Sequence, residues 1–148
     1  MKITLASIAG RVRSEHFDAL AASYINRTAA YASVESTVFR TSEAFFDSLQ
    51  KQRSRTTATL VLLDMHGLQL SSEELARWLR RQRDEGRQRI VFAIGPADGW
   101  SDHERARAGL LLSLGPMTLP HELARVVLSE QVYRAFTILA GHPYHTGH

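Results

Sequence analysis

The sequence contains no cysteine, which excludes disulfide bonds and every thiolate metal site. No run of residues approaches the roughly 18 apolar positions that a membrane-spanning helix requires. The first apolar run, residues 3–9, meets Arg11 and Arg13 too soon for the core of a signal peptide. Together these absences predict a cytoplasmic protein, and they give no indication of redox chemistry.

Lysine is scarce too, because Lys2 and Lys51 are the only two among 18 basic residues and the rest are arginine. Arginine binds phosphate through paired hydrogen bonds and stacks on bases, so this bias permits a nucleic-acid partner. GC-rich codon usage produces the same bias. The net charge of +3 is too small to decide between the two explanations.

The rest of the composition is that of an ordinary globular protein. Apolar residues make up 44% of the chain and charged residues 22%, which is too apolar and too mixed in charge for disorder. A chain of 148 residues has the size of one domain. We therefore predict a single domain over residues 1–148.

Short apolar runs alternate with helical patterns along the chain, as parallel strands joined by helical crossovers do. The predicted strands are 2–9, 31–39, 59–64, 89–95 and 110–114. The predicted helices begin at Ser14, Ser42, Ser71, Ser101 and Pro120, and Ser71 and Ser101 each precede a glutamate at capping-box spacing. The fold class is therefore α/β, a parallel sheet flanked by helices.

The last predicted helix, residues 120–140, has apolar side chains on more than one face. A helix that covers only a sheet needs one apolar stripe. The pattern therefore predicts that this helix packs against its own sheet and also against a second subunit.

Three predicted strands end in segments that contain glycine: 63–67, 94–99 and 113–121. Ligands of open α/β sheets bind at the carboxyl ends of the strands, and glycine lets a flat ligand approach the backbone. The same residues also form ordinary turns. Without further information, the pattern fits both a ligand site and simple connections.

At these segments the sequence resembles the bacterial ribosomal RNA large subunit methyltransferase H family, of the SPOUT or trefoil-knot superfamily. The matching motifs span the chain and are most specific in its last third. They are Leu63-Asp64 with Gly67, Ser71-Ser72-Glu73, Phe92-Ala93-Ile94-Gly95 with Gly99, Met117-Thr118-Leu119-Pro120-His121, Arg125-Val126-Val127, Glu130-Gln131-Val132-Tyr133-Arg134-Ala135 and Gly141-His142-Pro143-Tyr144-His145.

The resemblance implies a methyltransferase that uses S-adenosyl-L-methionine and methylates N3 of a pseudouridine in helix 69 of 23S rRNA, on the ribosome. It implies a homodimer with a C-terminal trefoil knot, in which the target base lies near the partner's tail. The implied cofactor contacts are Leu63, Gly95, Leu114, Gly115, Pro116, Met117, Thr118 and Leu119.

The chemistry requires the target nitrogen to be aligned with the methyl group and to lose its proton, and it requires no metal. His121 stands at the start of the last helix, where the helix dipole favours a neutral imidazole that can act as the base. An alternative is that His121 only shapes the cofactor loop.

Arg125 and Arg134 lie on a helix otherwise devoted to packing, so each charge needs a partner. Arg134 has Glu130 four residues before it, which favours a structural role. Arg125 lacks such a partner unless Glu122 serves, which favours contact with RNA phosphate or with the base.

The tail combines an aromatic ring, Tyr144, with imidazoles such as His145, which can stack on and hydrogen-bond an unpaired nucleotide. We therefore include Tyr144 and His145 with His121 and Arg125 as candidate catalytic residues. Histidines at 142, 145 and 148 also have a spacing that a metal site could use, but the tail offers no carboxylate, and we predict no metal.

Two further features leave alternatives open. The arginines at 77, 80, 81, 83, 87 and 89 form the densest basic cluster, which suits either a solvated helix face or contact with ribosomal RNA. Pro96 replaces a glycine common in the family and removes one backbone N–H beside the cofactor segment. The alternatives to an active rRNA enzyme are therefore a catalytically silent, ribosome-associated relative and a knotted methyltransferase that acts on tRNA.

Overall fold

The computed structural model describes residues 1–9, 14–52 and 57–147, so Arg11, Arg13 and His148 lie outside the described residues. In the described part, strands and helices alternate as predicted. The strands are β1 (Lys2–Ile8), β2 (Ser33–Phe39), β3 (Thr59–Gln69), β4 (Arg89–Ile94) and β5 (Leu110–Ser113). The helices are α1 (Glu15–Thr28), α2 (Ser42–Gln52), α3 (Ser72–Asp84), α4 (Asp102–Arg105) and α5 (His121–Leu139).

The described strands form one sheet in the order β2-β1-β4-β3-β5, and every pairing is parallel. This confirms the predicted α/β class. Because β4, β3 and β5 are neighbours and run in the same direction, their carboxyl ends meet along one edge of the sheet. The order of the strands therefore brings the three glycine-containing segments together.

Helices cover both faces of the sheet. On one face, α3 and α5 contribute Leu75, Leu79, Leu128 and Phe136 to a core that includes Phe92, with Ile25 of α1 packed against it. On the other face, α2 contributes Phe45 and Phe46, which pack with Trp100 against Leu62 and Ala93. These two layers explain why the central strands are apolar on both sides.

The apolar surface of α5 is covered from several directions within the chain. Leu128 and Val132 belong to the sheet core, the ring of Tyr133 lies 6.2 Å from that of Tyr24 on α1, and Gln131 accepts a 2.6 Å hydrogen bond from Ser72 on α3. The sheet and two helices therefore account for much of the pattern. Contact of α5 with a second subunit stays a prediction.

In the described part, no helix is long and apolar enough to cross a membrane.

β3 extends further than predicted, to Gln69 rather than Asp64. The register shifts between Leu63 and Leu68, and Leu68 and Gln69 then pair with β5. Gly67 makes this path possible, because a Cβ there would lie 2.6 Å from the carbonyl carbon and oxygen of Leu111. The predicted strand ends at Asp64 because the continuous apolar run ends there, and the residues that follow do not continue that run.

Replacing Gly67 with alanine should destabilise the fold by about 1 to 3 kcal/mol, because backbone atoms of two paired strands must separate to admit the methyl group. Gly109→Ala is the matched control, since its nearest contact would be the movable Thr59 methyl at 3.3 Å. Urea unfolding of both variants measures the difference. Equal stability of the two variants would show that the close approach of β3 to β5 is not a constraint.

Candidate active site

A cleft of about 550 Å³ lies at the carboxyl ends of β3, β4 and β5. Its walls are the segments 63–66, 94–100 and 112–119, completed by His121 and Ala124 from the first turns of α5. Most of the residues predicted to contact a cofactor line it: Leu63, Gly95, Leu114, Gly115, Met117, Thr118 and Leu119. Pro116 does not appear among the lining residues. The fold thus gathers residues from three distant parts of the sequence around one space.

Trp100 holds two of these walls together. No pattern in the sequence indicated this role. Its indole N–H donates a 3.0 Å hydrogen bond to the carbonyl of Leu63, and the side chain is 5% exposed. The ring lies directly over Gly95, where a Cβ would approach it to 2.8 Å. Gly95 is therefore needed to seat the ring, and Trp100 fixes the end of β3 relative to the end of β4.

Pro96 begins a tight turn that crosses the cleft wall. Its carbonyl accepts a 2.8 Å hydrogen bond from the N–H of Gly99, which has a φ of +80°. The proline occupies the first position of this turn, where only the carbonyl is needed to close it. The turn is thus compatible with proline, and Pro96 itself lines the cleft.

The wall that follows β5 turns at Gly115. This residue has a φ of +124°, which favours glycine, and its N–H donates to the side-chain oxygen of Ser113 at 3.1 Å. Ser113 is buried, so the turn is anchored to the sheet. Beyond the turn, Met117 is 82% exposed at the mouth of the cleft.

One side of the cleft carries an ion pair that the sequence pattern did not indicate. The Asp64 side chain is 6% exposed, accepts a 2.8 Å hydrogen bond from the N–H of His66 and lies 3.5 Å from a guanidinium nitrogen of Arg105. Arg105 also donates to the carbonyl of Trp100 and to Asp102. The pair ties the irregular middle of β3 to α4 and places a partly exposed cation on the wall.

His121 is the candidate catalytic side chain that lies in the cleft. Its Nδ1 is 3.8 Å from Oε1 of Glu122, and its Nε2 is buried without a hydrogen-bond partner among the described residues. A buried polar nitrogen without a partner is costly unless something binds it. The arrangement leaves Nε2 available to accept or donate a proton.

Arg125 does not line the cleft, and its surroundings differ from the sequence expectation. The residue is 5% exposed, and one guanidinium nitrogen donates both to Glu122, at 2.8 Å, and to Asp18 of α1. Asp18 is 107 residues away in the chain, so helical spacing could not reveal it. These partners favour a structural role for Arg125 and weaken the case for RNA contact.

The tail folds back onto α5 and α3. The Tyr144 hydroxyl donates to Glu130 at 2.9 Å, and its ring lies 4.8 Å from that of Tyr133 and 4.8 Å from the guanidinium carbon of Arg134. Burial raises the pKa of Tyr144 to about 12, and the hydrogen bond to Glu130 adds to this effect. The predicted pair of Arg134 with Glu130 is confirmed at 2.6 Å.

His145 completes the docking of the tail. Its Nδ1 lies 3.0 Å from Arg134, and its Nε2 lies 2.7 Å from Glu73 at the start of α3. This hydrogen bond is the largest cause of a lowered pKa for the Glu73 carboxyl. Neither Tyr144 nor His145 lines the cleft of the same chain, so the structure separates them from His121.

Known proteins resemble this chain in sequence and in fold. A family model described as a predicted SPOUT methyltransferase matches residues 1–145. A protein of Koribacter versatilis (strain Ellin345), named ribosomal RNA large subunit methyltransferase H, is 46% identical over 148 residues, which are all of both chains. The chain belongs to this family.

Further relatives agree. The methyltransferase H of Brucella ovis is 46% identical over 106 residues, which are 72% of this chain and 63% of that protein. Among solved structures, the SpoU methyltransferase AviRb from Streptomyces viridochromogenes, in complex with AdoMet, has a TM-score of 0.51 at 13% identity. A probable methylase from Haemophilus influenzae has a TM-score of 0.52 at 12% identity. The alignments cover 95% and 97% of this chain but 58% and 69% of those chains, so they support the fold alone.

Replacing Arg125 with methionine should lower the free energy of unfolding by about 1 to 3 kcal/mol, because the partly exposed carboxylates of Asp18 and Glu122 lose a buried cation that they share. Arg77→Met, at an exposed position of α3, is the control and should change stability by less than about 0.5 kcal/mol. Adding Asp18→Asn and Glu122→Gln to Arg125→Met should restore part of the loss. If both single variants unfold at the same urea concentration, the ion pairs do not stabilise the fold.

The raised pKa of Tyr144 predicts how docking of the tail depends on pH. A folded-state pKa of about 12, above the ordinary value of 10.0, means that the contribution is complete below pH 10 and is lost as the pH rises through 12. Absorbance at 295 nm should show a phenolate step near pH 12 that disappears in Tyr144→Phe. A wild-type titration without that late step would contradict the docked position.

Proposed function

We propose that this chain is an S-adenosylmethionine-dependent methyltransferase that acts on large-subunit ribosomal RNA. The observation that carries the proposal is the cleft, which gathers most of the residues predicted to contact the cofactor around one space, in a chain 46% identical over its full length to a protein of that name. The finer proposal is that it methylates N3 of a pseudouridine in helix 69 of 23S rRNA, on the ribosome, in the cytoplasm.

The residues present fit a nucleoside cofactor. The cleft has the size of pockets that enclose drug-sized ligands, about 300 to 1,000 Å³. Gly115 presents backbone without a side chain, and the segment 114–119 offers amide and carbonyl groups that can bind an adenine. When bound, the cofactor supplies an activated methyl group on a sulfonium sulfur. The wall fixed by Trp100 and Leu63 would orient it.

The contribution of the protein to the reaction is alignment and removal of a proton. His121 is placed for the second task, because its Nε2 has no partner in the described part of the chain while Glu122 lies beside Nδ1. If Nε2 takes the proton, the Glu122 carboxylate, 3.8 Å from Nδ1, would stabilise the imidazolium that forms. Arg125 would act indirectly, by holding the carboxylate of Glu122.

We further propose that the active form is a homodimer with the C-terminal trefoil knot typical of its superfamily. Tyr144 and His145 lie outside the cleft of their own chain, against α5 and α3. If they contact the target base, they can do so in the cleft of a second copy. This arrangement agrees with the family expectation that the base binds near the partner's tail.

The proposal is tested first by titrating the protein with S-adenosylmethionine in a calorimeter, where saturable binding is expected. Methyl transfer is then measured on 70S ribosomes, free 23S rRNA and tRNA, and mass spectrometry locates the methyl group. No binding at millimolar cofactor would favour the silent relative. Methylation of tRNA without methylation of ribosomes would favour the tRNA enzyme.

Replacing His121 with asparagine should leave cofactor affinity within a few-fold of wild type and reduce the rate of methyl transfer by about 10² to 10⁴, the usual contribution of a general base. His103→Asn, on the exposed helix α4, is the matched control. An unchanged rate in His121→Asn would exclude the base role. An equal loss of binding and rate would indicate that His121 only shapes the loop.

A further inference from the structure

We propose that the arginines on the second half of α3 and directly after it form a docking surface for ribosomal RNA phosphates, remote from the cleft. This inference rests on the proposed function and names a contact surface for its substrate. We call the surface the α3 arginine patch. Its members are Arg77, Arg80, Arg81, Arg83 and Arg87.

The patch concentrates the positive charge of the whole protein. Residues 77–87 contain the five patch arginines and two acids, Asp84 and Glu85, for a net charge of +3, and the entire chain also carries +3. The remainder of the chain therefore has no net charge. Codon usage alone gives no reason for the positive charge to be concentrated in one segment of the chain. This concentration creates a positive potential on one side of the molecule.

The patch is exposed, and most of its charges are unpaired. All five side chains belong to exposed residues, while Leu75, Trp78 and Leu79 bury the opposite face of the helix. Within the described residues, the one carboxylate contact of the patch is Arg83 with Asp84, at 4.0 Å. Arg77, Arg80, Arg81 and Arg87 have no ion pair there.

Five other arginines of the described residues make contacts within the chain. Arg105, Arg125 and Arg134 have carboxylate partners, and Arg27 and Arg107 lie over aromatic rings. The patch differs from these five residues, because most of its arginines have neither an ion pair nor an aromatic contact among the described residues. Arg81 and Arg83 lie in the last turn of α3 and complement the helix dipole, but Arg77 and Arg80 lie too far from the end for that explanation.

Phosphates on a structured RNA fit this surface better than a single nucleotide does. Arg77, Arg80 and Arg81 have the i, i+3, i+4 spacing that places them on one face of the helix. α3 starts beside the docked tail, at Glu73, and leads to the amino end of β4. The patch therefore lies toward the amino ends of the strands, whereas the cleft lies at their carboxyl ends. The helix spans about 18 Å, at 1.5 Å per residue. An RNA that reaches both the cleft and the patch must therefore extend over several nucleotides.

The test compares Arg77→Gln/Arg80→Gln/Arg81→Gln with a control of equal charge change, Arg40→Gln/Lys51→Gln/Arg107→Gln. The control residues are also exposed, and they lie on α2 or in loops outside α3. Binding to 23S rRNA and to 50S subunits is measured between 50 and 200 mM KCl. Affinity falls as salt rises, so the plot of log affinity against log salt has a negative slope. If three phosphate contacts are lost, the magnitude of this slope should decrease by about 2 to 3. The wild type should then lose up to about 40-fold more affinity than the patch variant over this salt range.

We expect the patch variant to lose this salt dependence and to raise the KM for 50S subunits at 50 mM KCl, with unchanged cofactor affinity and melting temperature. An equal slope in wild type, patch variant and control would overturn the inference. Sensitivity with 50S subunits but not with naked 23S rRNA would assign the patch to a ribosomal protein and also overturn it. Failure of the proposed function is distinguishable, because the wild type itself would then not methylate ribosomes.

Discussion

The indole of Trp100 is the contact on which the shape of the cleft depends. It binds the carbonyl at the end of β3 through its N–H and rests on Gly95 at the end of β4 with its ring. These strands are hydrogen-bonded only up to Leu63 and Ile94, so beyond that point nothing in the ladder sets the separation of their loops. A rigid bicyclic side chain does so instead, and the phenylalanines of α2 hold it from the other side.

A second set of contacts fixes α5 relative to the sheet. Buried Arg125 joins this helix to α1, and Gln131 joins it to α3. Because His121 is the first residue of the same helix, the position of the candidate base follows from how α5 is seated. The contacts that anchor α5 to its neighbours therefore also set the position of His121 in the cleft, because all of these residues belong to one helix.

The features that sequence predicted well are those that depend on near neighbours. The capping boxes at Ser71 and Ser101 and the pair of Arg134 with Glu130 are all present, since each involves residues three or four apart. The gathering of three loops was predictable because parallel strands share one carboxyl edge. The pair of Arg125 with Glu122, three residues before it, was open to the same reasoning. The second partner of Arg125, Asp18, was not, nor were the role of Trp100 and the continuation of β3 past Gly67, because each depends on residues brought together by tertiary packing.

The position of β1 in the sheet has a consequence for synthesis of the chain. Lys2 pairs with Arg89, 87 residues later, so β1 stays without one of its two neighbours until β4 has been made. At about 5 to 20 residues per second, that interval lasts roughly 4 to 17 s. The contact between Asp18 and Arg125 must wait longer still. Such dominance of non-local contacts is typical of slow folding, and during this interval a nascent chain of this protein carries an apolar strand that can pair on one side only.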